Sequence, residues 1–219
     1  MWLLRRFLLI LLVTPFVAGA AEPQLLSADS FSEFGEHRGV VLLGLNWNRM
    51  WDCGGYENAQ LHEISFTLLN PGDSEVAPST LDFRIPGRLL KSDYFTEYEI
   101  LLAPGEYALS SFDIKVAESA SLVRHLVTGA EQLIKEGEAL GGTFSVANGE
   151  IVYIGHFELD CVESPIPWRY YIDSRERFRS FVTRFWSEHP FLVNTPVQFR
   201  LFSTTRFGLP FALEDSPDD

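Results

Sequence analysis

The stretch TEYEILLAPGEYALSSFDIKV, residues 96 to 116, decides the fold class. Pro104 presets φ and Gly105 tolerates positive φ, which suits the centre of a type II turn between two extended arms. In the second arm Ala108, Ser110, Phe112, Ile114 and Val116 recur at period 2, the spacing of side chains on one face of a strand. We read a β-hairpin here, with a loop wider than two residues, because a two-residue type II connection splays its strands.

Working outward, other runs of strand length are bounded by turn residues. GVVLLGLNW (39–47) is β-branched and leucine-rich, LHEISFTLLN (61–70) ends at Pro71-Gly72, and TLDFRI (80–85) ends at Pro86-Gly87. GTFSVANGEIVYIGHFELDC (142–161) predicts a second hairpin turning at Asn148-Gly149, and VQFRLF (197–202) a closing strand. This spacing argues for an antiparallel sandwich or barrel. Two segments have helical periodicity. Between Ser119 and Leu140, the residues Leu122, Leu126, Ala130, Leu133 and Ile134 form a stripe that Gly141-Gly142 ends. Between Asp173 and Pro190, Phe178, Phe181, Val182, Phe185 and Trp186 fall at i, i+3, i+4, i+7 and i+8, so a helix over 174–189 must bury that stripe against the sheet.

The N-terminus, MWLLRRFLLILLVTPFVAGAAEPQ, has the form of a secretory signal: Arg5 and Arg6, an apolar run from Phe7 to Val17, and Ala18-Gly19-Ala20 as a small-residue cleavage site. The run is shorter than the roughly 20 residues a bilayer core needs, so the expectation is cleavage after Ala20, a periplasmic or secreted chain and no stable membrane span. Loss of Arg5 and Arg6 takes the formal charge from −13 to −15. So acidic a surface repels phosphate backbones, which argues against nucleic acid as a partner. The expected division is a signal peptide at 1–20, a lead-in at 21–38, a β domain at 39–209 and a solvated acidic tail at 210–219.

LLAPGEYALSSF (101–112), FSVANGEIVYIGHF (144–157) and a helix ending in EHP together resemble a group of bacterial exported proteins, many of them lipoproteins. In that group a Pro-Gly-x-Tyr hairpin precedes a Gly-Glu-x-Val-Tyr-x-Gly strand. The resemblance covers roughly residues 39 to 202 and implies a mainly β, antiparallel transthyretin- or immunoglobulin-like sandwich with a docked C-terminal helix. It brings no catalytic residues, because the group has no settled activity. Pro104, Gly105, Tyr107, Gly149, Glu150, Tyr153 and Gly155 match its motifs and read as structural. This chain departs from the group in having no lipidation cysteine after the signal and a longer insertion at 117–142.

Chemistry concentrates in RMWDCGGYENAQLHE, residues 49 to 63. Cys53 as a nucleophile needs a base, and His62, His125, His156 or His189 could approach it. The competing reading pairs Cys53 with Cys161, since two cysteines in an exported chain oxidise readily. Closing so long a loop stabilises by about 4.7 kcal/mol in the chain-entropy model. Trp47, Trp51 and Tyr56 beside Cys53, with Trp168 and Tyr170 after Cys161, either wall the disulfide or form an exposed platform for a sugar ring or peptide. In strand 151–161, Ile151, Tyr153, Phe157, Leu159 and Cys161 alternate with His156, Glu158 and Asp160. That second set is either a zinc ligand set or the polar side of a half-buried strand. His62-Glu63 lacks the histidine at 66 that a zinc-protease motif requires, and no phosphate loop, nucleophile elbow or Cys-x-x-Cys pair is present. The sequence therefore implies no cofactor. It favours a non-catalytic binding or interaction module of the cell envelope with an unidentified protein, peptide or glycan partner, the alternative being a metal- or cysteine-dependent hydrolase.

Overall fold

Two long strands, β3 (Tyr56–Leu69) and β6 (Gly105–Ser119), pair antiparallel and form the spine of one sheet. The structure is a computed structural model that describes residues 23–69, 80–87 and 94–209. The expected signal peptide at 1–20, the turn expected at Pro71-Gly72 and the acidic stretch at 210–219 lie outside the described residues. The other strands are β1 (Gly39–Leu45), β2 (Met50–Cys53), β4 (Thr80–Arg84), β5 (Thr96–Leu102), β7 (Leu122–Thr128), β8 (Ile134–Lys135), β9 (Glu138–Ala139), β10 (Thr143–Val146), β11 (Ile151–Asp160), β12 (Ile166–Tyr170) and β13 (Val197–Phe199). The helices are α1 (Ala28–Phe34), α2 (Ala130–Leu133) and α3 (Arg175–Glu188). In the first sheet β2 and β4 share one edge of β3, while β7 and β10 share the far edge of β6. The second sheet runs β12-β11-β1-β5, with β13 also on β11, and β8 pairs with β9.

The chain is mainly β, and its inward side chains from both sheets meet in one core. Phe66 of β3 lies 5.4 Å from Phe144 of β10, 5.7 Å from Phe157 of β11 and 5.9 Å from Phe202, edge to face in each case. Each such pair adds about 0.5–1.5 kcal/mol beyond area burial, so these rings hold the sheets together. On the outer face of the second sheet Val40, Leu42, Leu101, Ile151 and Tyr153 form a second apolar layer. Phe178, Phe181, Phe185 and Trp186 of α3 pack there, the stripe the sequence predicts, and Ser174 caps the helix by accepting from the Arg177 amide. The lead-in contributes α1 and Leu26, whose amide donates to the Glu99 carbonyl at the edge of β5.

Residues 96–116 are not a hairpin. β5 pairs with β1 in the second sheet and β6 with β3 in the first, so Pro104-Gly105 crosses between sheets. Splaying, a defect in a hairpin turn, is what such a crossing requires. The Asn148-Gly149 connection likewise passes from β10 in the first sheet to β11 in the second. Nor is pairing wholly antiparallel: β11 runs parallel to both β1 and β13. The predicted helix over 119–140 is instead β7, the short α2 and the β8–β9 ribbon. Val123, Val127 and Thr128 favour extended backbone, and β6 offers its free edge to them.

Two bulges shift the predicted faces. On β6 the register slips near Ser110, so Tyr107 and Leu109 point inward before it and Phe112, Ile114 and Val116 after it. On β11 the slip falls at Gly155, whose φ of 107° carries the extra residue. Val152 and Ile154 face the shared core, as do Phe157 and Leu159, whereas Ile151 and Tyr153 face α3. Straight alternation from 151 to 161 is therefore wrong by one residue in its first half.

Candidate functional site

The Cys53 hairpin is built to be rigid. Cys53 pairs with Tyr56 across a Gly54-Gly55 turn whose φ values, 59° and 82°, are those of a tight primed hairpin turn. The Gly54 amide donates to the Cys161 carbonyl at 3.0 Å, and a Cβ at Gly54 would lie 2.6 Å from Pro165 Cδ. Cys53 and Cys161 are disulfide-bonded with Cα atoms 4.5 Å apart. Neither thiol is free, so the cysteine-nucleophile alternative is overturned.

Around this staple the five predicted aromatics divide. Trp47 is core, its indole N–H donating to the Tyr98 hydroxyl at 3.0 Å. Trp51 is 67% exposed with the Arg49 guanidinium 5.5 Å from its ring. Tyr56 is half-buried, with the Arg124 guanidinium 5.6 Å from its ring. Trp168 and Tyr170 belong to the other sheet, opposite Glu158 and His156. The Tyr170 hydroxyl is pushed up by burial and by the charges of Glu158 and Asp160.

With α1 and α3 both on the second sheet, the outward face of the first carries polar side chains. Asn58 pairs across from Trp51, and Gln60, Lys115 and His125 form the next row. A groove of about 200 Å³ runs along this face, lined by Arg49, Glu57, Gln60, Lys115, Ser119 and Val123.

His156, Glu158 and Asp160 do not converge as a ligand set. The His156 ring lies over Gly44, where a Cβ would meet its Cδ2 at 2.1 Å, and its Nδ1 is 2.6 Å from the Tyr153 hydroxyl. Burial pushes its pKa down to about 4, keeping it neutral at pH 7. Glu158 accepts from the Tyr94 hydroxyl, which burial and that carboxylate push up to about 12. Asp160 accepts from the Val162 amide at 3.0 Å. Glu158 is buried, whereas His156 and Asp160 are partly exposed, so this side of β11 is solvated only in part.

Among the described residues, two other groups bring ligand atoms within 4.8 Å of one another: His62, Asp113 and His125, and Glu99, Glu188 and His189. In the second group His189 Nε2 and Glu99 Oε2 already close to 2.5 Å, and burial raises the Glu99 carboxyl.

Among family models, curated proteins and solved structures, none matches this chain.

The first of these groups escaped the sequence because it depends on pairing. Read as a helix, residues 119–140 leave His125 unplaced; as β7, they set it beside Asp113. His62 reaches the same point through a bulge between Leu61 and Glu63, which no periodicity announces.

Proposed function

We propose that this chain is an exported, non-catalytic binding module of the cell envelope, periplasmic or secreted, on a transthyretin- or immunoglobulin-like sandwich. Its contact surface is the outward face of the first sheet around Trp51, and its ligand is a glycan strand. The observation that carries the reading is the exposure of Trp51 on a hairpin clamped by a disulfide. A large ring held open to solvent on rigid backbone loses little entropy on binding. Beside it, Asn58 and Gln60 supply amides to a polar groove, the companions a stacked sugar needs. The acidic composition disfavours nucleic acid, and among the described residues no helix is long and apolar enough to cross a membrane.

Two features support the finer fold. The Tyr107 hydroxyl bonds four residues back to the Ala103 carbonyl, the arrangement of a tyrosine corner in such sandwiches. Glu150 accepts from the Ala147 amide and pairs with Arg200, which holds its carboxyl below the usual range. Tyr107 and Glu150, two of the residues that carry the resemblance, are thus each held by hydrogen bonds.

The test is titration of the purified chain with soluble envelope glycan fragments, read by tryptophan emission. Trp51→Ala should lose at least about tenfold in affinity, a 1.4 kcal/mol effect. Binding unchanged by that substitution rejects the surface. Saturation by peptides and not by glycans moves the ligand to the peptide class.

A further inference from the structure

We propose that His62, Asp113 and His125 hold a divalent transition metal, zinc by the chemistry of the donors, on the outward face of the first sheet. The three side chains come from three adjacent strands, β3, β6 and β7, so hydrogen-bonded ladders rather than a loop set their spacing. His125 lies diagonal to Asp113, whose own partner on β7 is Val127. His62 is the unpaired residue of the bulge between Leu61 and Glu63, which aims its ring at the same carboxylate.

The distances fit one ion. His62 Nδ1 is 3.4 Å from Asp113 Oδ2, and His125 Nδ1 is 2.8 Å from both Asp113 oxygens. A tetrahedral zinc with ligands at about 2.0–2.2 Å places its donor atoms roughly 3.4 Å apart. The His62 to Asp113 separation is already that edge, and the His125 to Asp113 separation must open by only about half an ångström to reach it. The two rings meet edge to face with centroids 5.2 Å apart, close enough for both nitrogens to face a common point.

Two imidazoles and a carboxylate suit zinc over calcium or magnesium, which favour oxygen donors. Three protein ligands leave a fourth position open. Here it faces solvent, because the His62 and His125 side chains are 41% and 43% exposed. That position lies on the face that carries the groove, His125 being the cross-strand partner of groove residue Lys115. A bound ion there would take a water or an oxygen donor from whatever occupies the face. The inference does not rest on the glycan reading, since the metal alone tests it.

The experiment is isothermal titration of the untagged, chelator-stripped chain, disulfide intact, with zinc chloride. One equivalent should bind saturably. Asp113→Asn and the double variant H62A/H125A should each weaken binding by at least about tenfold, the scale on which even residues supporting a metal's ligands act. His189→Ala, which breaks the other cluster, should leave the isotherm unchanged. Coincident thermal melts without zinc confirm that the surface substitutions keep the fold. No saturable binding to the wild-type chain, binding that survives H62A/H125A, or binding lost in His189→Ala would each overturn the assignment.

Discussion

The hydroxyl of Tyr107 donates to the carbonyl of Ala103, 2.9 Å away, and closes the Pro104-Gly105 crossover from the strand it feeds. Tyr107 is 1% exposed, and burial pushes its pKa up to about 12, so the donor persists across the working pH range. Tyr107→Phe keeps the ring stacked on Phe144 and removes only this bond. It should cost about 0.5–1.5 kcal/mol, the net worth of a typical hydrogen bond, because the Ala103 carbonyl is only partly buried. Urea unfolding with an unchanged m-value would show that loss; an unchanged midpoint would mean that the crossover does not depend on the bond.

Gly155 carries the bulge that turns the second half of β11. Its φ is 107°, and a Cβ there would meet the Tyr170 carbonyl oxygen at 2.7 Å. Gly155→Ala should destabilise by about 1–3 kcal/mol from backbone strain alone, with the clash on the β12 backbone adding to it. A melting temperature within a degree of wild type would show that the bulge relaxes without cost.

Much of this architecture is legible in the sequence, and what is missing has one cause. The strand runs beginning at Gly39, Leu61 and Thr80, the α3 stripe and the pair of cysteines are signals carried by the local sequence or by the cysteine count, and the structure places each of them. Pairing partners are not local. Pro104-Gly105 reads equally as a hairpin turn or as a crossing between sheets, and only the partners of β5 and β6 distinguish them. Glycine at 155 signals a possible bulge, yet the parity of Tyr153 and Phe157 is decided by which side α3 covers. For the same reason Trp51 is visible as a candidate platform residue, whereas the meeting of His62 with His125 is not.

Reducing the disulfide should loosen the hairpin before the cores. Cys53→Ala with Cys161→Ala should cost about 2–5 kcal/mol, the range for removing a native bridge from a small domain. The amides of Gly54 to Tyr56 should lose hydrogen-exchange protection, while those of β3 opposite β6 keep theirs. On the wild-type chain, mass measurement with an alkylating reagent should show no labelling until a reductant is added. Labelling of Cys53 in the native protein would contradict the bond.

Acid should destabilise the fold through His156, and the sign follows from its surroundings. The ring is packed against Phe95 at 4.6 Å and Tyr153 at 5.4 Å, and its Nδ1 is positioned to accept from the Tyr153 hydroxyl, which itself accepts from the Ile172 amide at 3.2 Å. Burial holds the folded pKa near 4, against about 6.5 for an unperturbed histidine. Between those values the unfolded chain binds the extra proton and the folded chain does not, so stability rises with pH. The contribution is complete above pH 6.5, declines below it and is exhausted by about pH 4, amounting to at most about 3 kcal/mol. His156→Asn has no proton to gain and should flatten the stability profile across that window relative to wild type. Parallel profiles for the two proteins from pH 7 to pH 4 would mean that the imidazole titrates normally and that burial does not hold it neutral.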